Sequence, residues 1–127
     1  MHDKHVFEYA LIRMVPKVER EEFFNVGVIL YCKRHKFLDV RYHLDPRKLA
    51  LFSKDLDFEE LNSYLHSWKL ICEGAPAGGA IGRLELSDRF RWLTACRSTM
   101  LQSSDTHSGL CDDPQQELDS LFETFVL

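Results

Sequence analysis

The side chains best equipped for chemistry crowd into RSTMLQSSDTHSG, residues 97–109, where Arg97, Ser98, Gln102, Ser103 and His107 fall within a dozen positions. Arginine offers a planar fork to a phosphate or carboxylate, hydroxyls and amides add hydrogen bonds, and a histidine exchanges protons near neutral pH. An anion-binding or hydrolytic site is one reading of this cluster. A polar network that merely holds a loop is the preferred one, because a catalytic Ser-His-Asp set is defined in space and not by order along the chain.

Two further polar residues sit where burial makes them expensive. Arg13 interrupts VFEYALIRM and Asn25 interrupts FNVGVILYC, both otherwise apolar. An unpaired buried arginine is costly, so Arg13 is expected to reach solvent or to pair with an acceptor such as Glu22. If a strand after Arg97 joins the same sheet, Arg13, Asn25, Arg97, Ser98, Gln102, Ser103 and His107 form the candidate surface for an anion or a partner. The competing reading makes Arg13 and Arg97 internal clamps. For Asn25 and Gly27 the preferred reading is a β-bulge or a close approach of two backbones; a cleft floor with room for a ligand is the sharper one.

Other motifs carry less. The glycine-rich stretch EGAPAGGAIGR, residues 73–83, is followed by leucine and preceded by helical spacing, whereas a phosphate loop needs Lys and Ser or Thr opening a helix after a strand. A connector is the better reading. The four cysteines, Cys32, Cys72, Cys96 and Cys111, form no Cys-x-x-Cys pair, and the scattered histidines form no His-x-x-x-His pair, so no metal site and no cofactor is expected. Free thiols are expected, with Cys32 and Cys72 serving as small apolar residues. Trp68 and Trp92 read as core. No catalytic set emerges.

The elements that must position these residues follow from the hydrophobic pattern. The fold expected is α+β: a small antiparallel sheet with strands near 6–14, 24–32, 37–44 and 98–103, covered by helices near 58–72 and 114–125. Asp45 followed by Pro46 starts a short helix carrying Leu49 and Phe52. Asp57 caps the next, with Glu60 reaching back and Phe58, Leu61, Leu65, Trp68 and Cys72 on one face. Ser87 caps a helical turn presenting Phe90, Trp92 and Leu93. Asp113 and Pro114 start the last helix, with Gln116 in the capping-box position and Leu118, Leu121, Phe122 and Phe125 as its stripe. A two-layer arrangement, with helices on one face of the sheet, is the simplest assembly.

Composition bounds the rest. At 127 residues, with nine Phe, four Tyr and two Trp, residues 1–127 are expected to make one domain with an adequate core, and intrinsic disorder is a poor reading. The net charge of −4 spreads over interspersed acids and bases, which disfavours nucleic acid as a partner. No run is long and apolar enough for a membrane span, and MHDKHVFEY lacks the pattern of a signal peptide, so the expected location is the cytoplasm.

Two segments, YALIRMVPKVEREEFFNVGVIL at 9–30 and RFRWLTACRSTMLQSSDTHSGLCDDP at 89–114, resemble the bacterial family catalogued as domain of unknown function 3037. The first pattern falls on Tyr9, Arg13, Val15, Pro16, Arg20, Glu22, Phe23, Asn25, Val26, Gly27 and Val28; the second on Trp92, Arg97, Ser98, Gln102, Ser103, His107, Gly109, Leu110 and Asp113. Glu21 stands where a small residue is expected, and Cys96 where proline is frequent. The middle, residues 31–88, carries little of the pattern. No activity or cofactor follows from the resemblance. It implies a regulatory protein partner, since similar proteins are encoded beside HipA-like kinases. The leading expectation is thus a cytoplasmic interaction or regulatory module; the alternative is a protein that acts on or binds a small phosphate or carboxylate ligand. The sequence leaves homo-oligomerisation open.

Overall fold

A computed structural model describes residues 4–16, 20–52, 56–74, 76–95 and 100–127. Three long strands come first: β1 (His5–Met14), β2 (Phe24–Cys32) and β3 (Phe37–Tyr42). Two short ones, β4 (Leu101–Ser103) and β5 (His107–Cys111), come late. The helices are α1 (Pro46–Phe52), α2 (Phe58–Glu73), α3 (Leu86–Leu93) and α4 (Pro114–Phe125). All strand pairs are antiparallel, in the order β3-β2-β1, and both β4 and β5 pair with the free edge of β1. The fold is α+β.

The apolar run of β2 makes it a central strand, buried from Val26 to Cys32. Its alternate residues feed two cores. Ile29 and Tyr31 join Ala10, Ile12, Met14, Leu38 and Val40 beneath α2 and α3, whereas Val28, Leu30 and Cys32 join Phe7, Leu118 and Phe122 beneath α4. The sheet is therefore sandwiched, and the two-layer expectation is corrected to three layers. A strand apolar on both sides leaves no face that water can wet. Within the first core, Phe90 stacks on Tyr31 with ring centroids 5.5 Å apart.

Local signals explain most element ends. Asp57 Oδ1 accepts from the Glu59 and Glu60 amides, and Asp113 Oδ1 from those of Gln115 and Gln116, so both helices begin at an aspartate cap. The Glu60 carboxylate does not reach back as expected; it accepts instead from the Tyr64 hydroxyl at 3.1 Å. Helix α3 starts after Glu85 and not at Ser87. At the end of α2, Gly74 takes the left-handed φ of 69°, and Arg89 Nη1 donates to the Ile71 and Cys72 carbonyls at 2.9 and 3.0 Å. The glycine-rich stretch forms two 3-10 turns, Pro76–Gly78 and Ile81–Arg83. Glu21, placed where a small residue was expected, has φ 57°, in the region that favours glycine.

Cys32, Cys72 and Cys111 are buried free thiols. Burial pushes Cys72 up to about 12, and burial with a contribution from Cys32 pushes Cys111 up to about 11, so both stay protonated and inert near neutral pH. No helix among the described residues is long and apolar enough to cross a membrane.

Candidate functional site

The free edge of β1 is covered by what is in effect one strand with a break. β4 pairs with Ile12–Met14 and β5 with His5–Tyr9, so Ala10 and Leu11 have no regular strand partner on this edge. Ser104 fills the gap. Its amide donates to the Leu11 carbonyl at 2.8 Å, its Oγ accepts from the Leu11 amide at 2.8 Å, and the same hydroxyl donates to the Asp105 carbonyl at 2.9 Å. A side chain thereby replaces the missing carbonyl of the ladder, and Ser104 is the one buried polar residue among the described residues, at 4 % exposure. Ser104→Ala is expected to leave the Leu11 amide unpaired, at a cost of about 1–3 kcal/mol, and to speed exchange of that amide. Urea unfolding and hydrogen exchange would measure both.

This junction decides where the candidate residues go. Ile12 and Met14 point into the core beneath α2 and α3, which turns Arg13 to the face carrying α4. Asn25 on β2 and Gln102 on β4 are its cross-strand neighbours, and a register shift lies between Ile12 and Arg13. Arg13, Asn25 and Gln102 thus form one row across the sheet. His107 faces the same way, with its ring 5.3 Å from that of Tyr9, but it pairs four residues back along β1, ~13 Å away by strand geometry. Ser103 lies on the opposite face, its hydroxyl donating to the Ser104 carbonyl at 2.8 Å. Arg97 and Ser98 lie outside the described residues.

Arg13 does not pair with Glu22, whose carboxylate binds Arg20 at 2.6 Å. Its guanidinium instead lies 4.3 Å from the centroid of the Phe23 ring. Asn25 Nδ2 donates to the carbonyl of Phe125, in the last turn of α4, at 3.2 Å. The polar row is built at the end of a helix.

The larger feature lies across the sheet. Between α2, α3 and β4 runs a cleft of about 540 Å³, walled by Leu61, Trp68, Ile71, Leu93 and Leu101 and rimmed by Tyr64, Trp92 and Met100. The three rim residues are 52 %, 38 % and 36 % exposed, whereas Trp68 is 8 % exposed. Trp68 is core as expected; Trp92 is not. The periodicity held the signal, since Leu86, Phe90 and Leu93 mark the buried stripe of α3 and Trp92 stands off it. The described polar residues at the cleft are Tyr64, Ser67 and Ser103, and the Tyr64 phenol is raised by its hydrogen bond to the Glu60 carboxylate. No acid or base among the described lining residues stands ready for proton transfer, so the cleft suits binding of an apolar surface.

No curated protein and no solved structure matches the chain. A family model does match, over residues 9–126, and so takes in β2, the polar row and the cleft. By that match, which spans nearly the whole sequence, the chain belongs to the family described as protein of unknown function, DUF3037.

Proposed function

We propose that this protein is an interaction module whose cleft between α2, α3 and β4 receives an apolar segment of a regulatory partner protein. The observation that carries this reading is the cleft itself: about 540 Å³, apolar, with Tyr64, Trp92 and Met100 held open to solvent on its rim. Tryptophan and tyrosine give large contact area for little conformational entropy, and methionine adapts to varied shapes, which is why such residues anchor interfaces. The family resemblance supplies a candidate partner, a HipA-like kinase. The buried free thiols suit a reducing compartment such as the cytoplasm.

The test mixes the purified protein with the HipA-like kinase of its own cell. Co-elution and a changed phosphorylation rate are the expected result. Trp92→Ala, at a partly exposed site, is expected to leave the protein folded and to weaken the complex by about 30-fold or more, the effect of an anchoring residue. A variant that binds as tightly as wild type would remove the cleft from the interface. A kinase that neither co-elutes nor changes its rate would remove that partner.

A further inference from the structure

Three described side-chain atoms are buried without a hydrogen-bond partner: Arg13 Nε, Asn25 Oδ1 and Arg89 Nε. The third belongs to a guanidinium already engaged on two carbonyls at the end of α2. The other two are different. They are an N–H donor and a carbonyl acceptor on directly paired residues of neighbouring strands, so two opposite hydrogen-bonding needs lie side by side and unmet. Unpaired buried polar atoms are costly, and native proteins keep few of them.

The orientation of Asn25 is fixed by chemistry. Its partner is the Phe125 carbonyl, which only accepts, so Nδ2 must face α4 and Oδ1 must face away. Arg13 carries a full positive charge, and among the described residues no carboxylate forms an ion pair with it; Glu22, Asp119, Asp39 and Glu8 pair with Arg20, Arg41, Lys69 and Arg91. Phe23, 47 % exposed, backs the guanidinium and holds it flat. Helix α4 packs chiefly over β2 and β3 and ends beside Asn25. The result is a buried donor and a buried acceptor, both unpaired, on neighbouring strands beside a helix end.

We infer that Arg13 and Asn25 form a binding site for a small oxyanion that carries its own hydrogen-bond donor, such as hydrogen phosphate or a hydroxycarboxylate. One anionic oxygen accepts from Arg13 Nε while the hydroxyl donates to Asn25 Oδ1. An anion without a donor meets only half of the site and places a lone pair against Oδ1. The site lies on the opposite face of the sheet from the apolar cleft and does not depend on it.

Matched anions separate this from general charge attraction. Hydrogen phosphate and sulfate are alike in shape and charge, but only the first carries a hydroxyl at neutral pH; glycolate and acetate differ in the same way. The Arg13 Nε–H resonance of the wild-type protein would be followed in NMR titrations at constant ionic strength. The inference expects saturable shifts, with hydrogen phosphate at least about tenfold tighter than sulfate, or glycolate about tenfold tighter than acetate, as one added hydrogen bond at a desolvated acceptor demands. Which pair responds assigns the site to phosphate or to carboxylate chemistry. Asn25→Leu is expected to abolish the preference, and Arg13→Gln the binding. Equal response to both members of each pair, or no saturable shift with any of the four, would overturn the inference on the wild-type protein alone.

Discussion

Phe90→Ala is expected to lower the free energy of unfolding by about 3–5 kcal/mol, a large share of the ~5–15 kcal/mol available to a small domain. Phe90 is fully buried, stacks on Tyr31 of the central strand, and is the largest of the fully buried side chains. Its helix has eight residues, too short to persist without tertiary packing. Truncation leaves a cavity on the sheet and also loosens α3, which carries one wall of the cleft. Trp92→Ala, two positions on, is expected to cost clearly less than Phe90→Ala because Trp92 is 38 % exposed whereas Phe90 is fully buried. Equilibrium urea unfolding of the two variants measures the contrast. Equal losses would show that the buried stripe of α3 has been misassigned.

Gly27→Ala is expected to cost about 1–3 kcal/mol although it adds a single carbon. A Cβ there would lie 2.8 Å from the Arg41 carbonyl oxygen, 3.1 Å from Ile12 Cδ1 and 3.1 Å from Tyr42 Cβ. The isoleucine methyl can turn aside, but the carbonyl and the tyrosine Cβ are fixed to β3. Relief requires moving β3 away from β2, against the ladder that joins Gly27 to Tyr42 and Cys32 to Phe37. The same substitution at a typical strand glycine is favourable, because alanine loses less entropy on folding. Thermal and urea unfolding of Gly27→Ala decide the sign, and a stabilised variant would contradict the close approach of the two strands.

The sequence announced the two features that meet at Gly27. A glycine inside an apolar strand pointed to a bulge or a close backbone approach, and both are present: the register shifts between Ile12 and Arg13, and β3 presses on Gly27. The polar intrusions Arg13 and Asn25 were legible as well, because arginine and asparagine are out of place among buried β-branched and aromatic neighbours. Their direct pairing was not, since a register shift of one residue decides it. Ser103 and Gln102 could not share a site once residues 98–103 were read as a strand, because consecutive side chains point to opposite faces.

What stayed hidden had physical reasons. The segment HSGLC of β5 pairs with β1 alone and leaves His107, Ser108 and Leu110 exposed, so its composition is that of a loop. The gap between β4 and β5 is bridged by a serine hydroxyl that accepts from the Leu11 amide of β1, and ladder patterns in sequence do not register a side chain acting as backbone. The third layer, by contrast, was implied by FNVGVILYC. Nine residues with hardly a wet position need cover on both faces, and α4, with Leu118, Leu121 and Phe122 in its stripe, supplies the second cover.

The proposal that a partner enters the cleft is tested most directly at Trp92. Trp68→Phe, which keeps an aromatic ring in the cleft wall, leaves Trp92 as the single tryptophan of the chain. Its emission, starting from a partly solvated ring, is expected to move to shorter wavelength when the HipA-like kinase is added. Its quenching by acrylamide is expected to fall in step with complex formation. A stable complex that leaves both the emission and the quenching of Trp92 unchanged would contradict the proposal, because the partner would then have docked elsewhere.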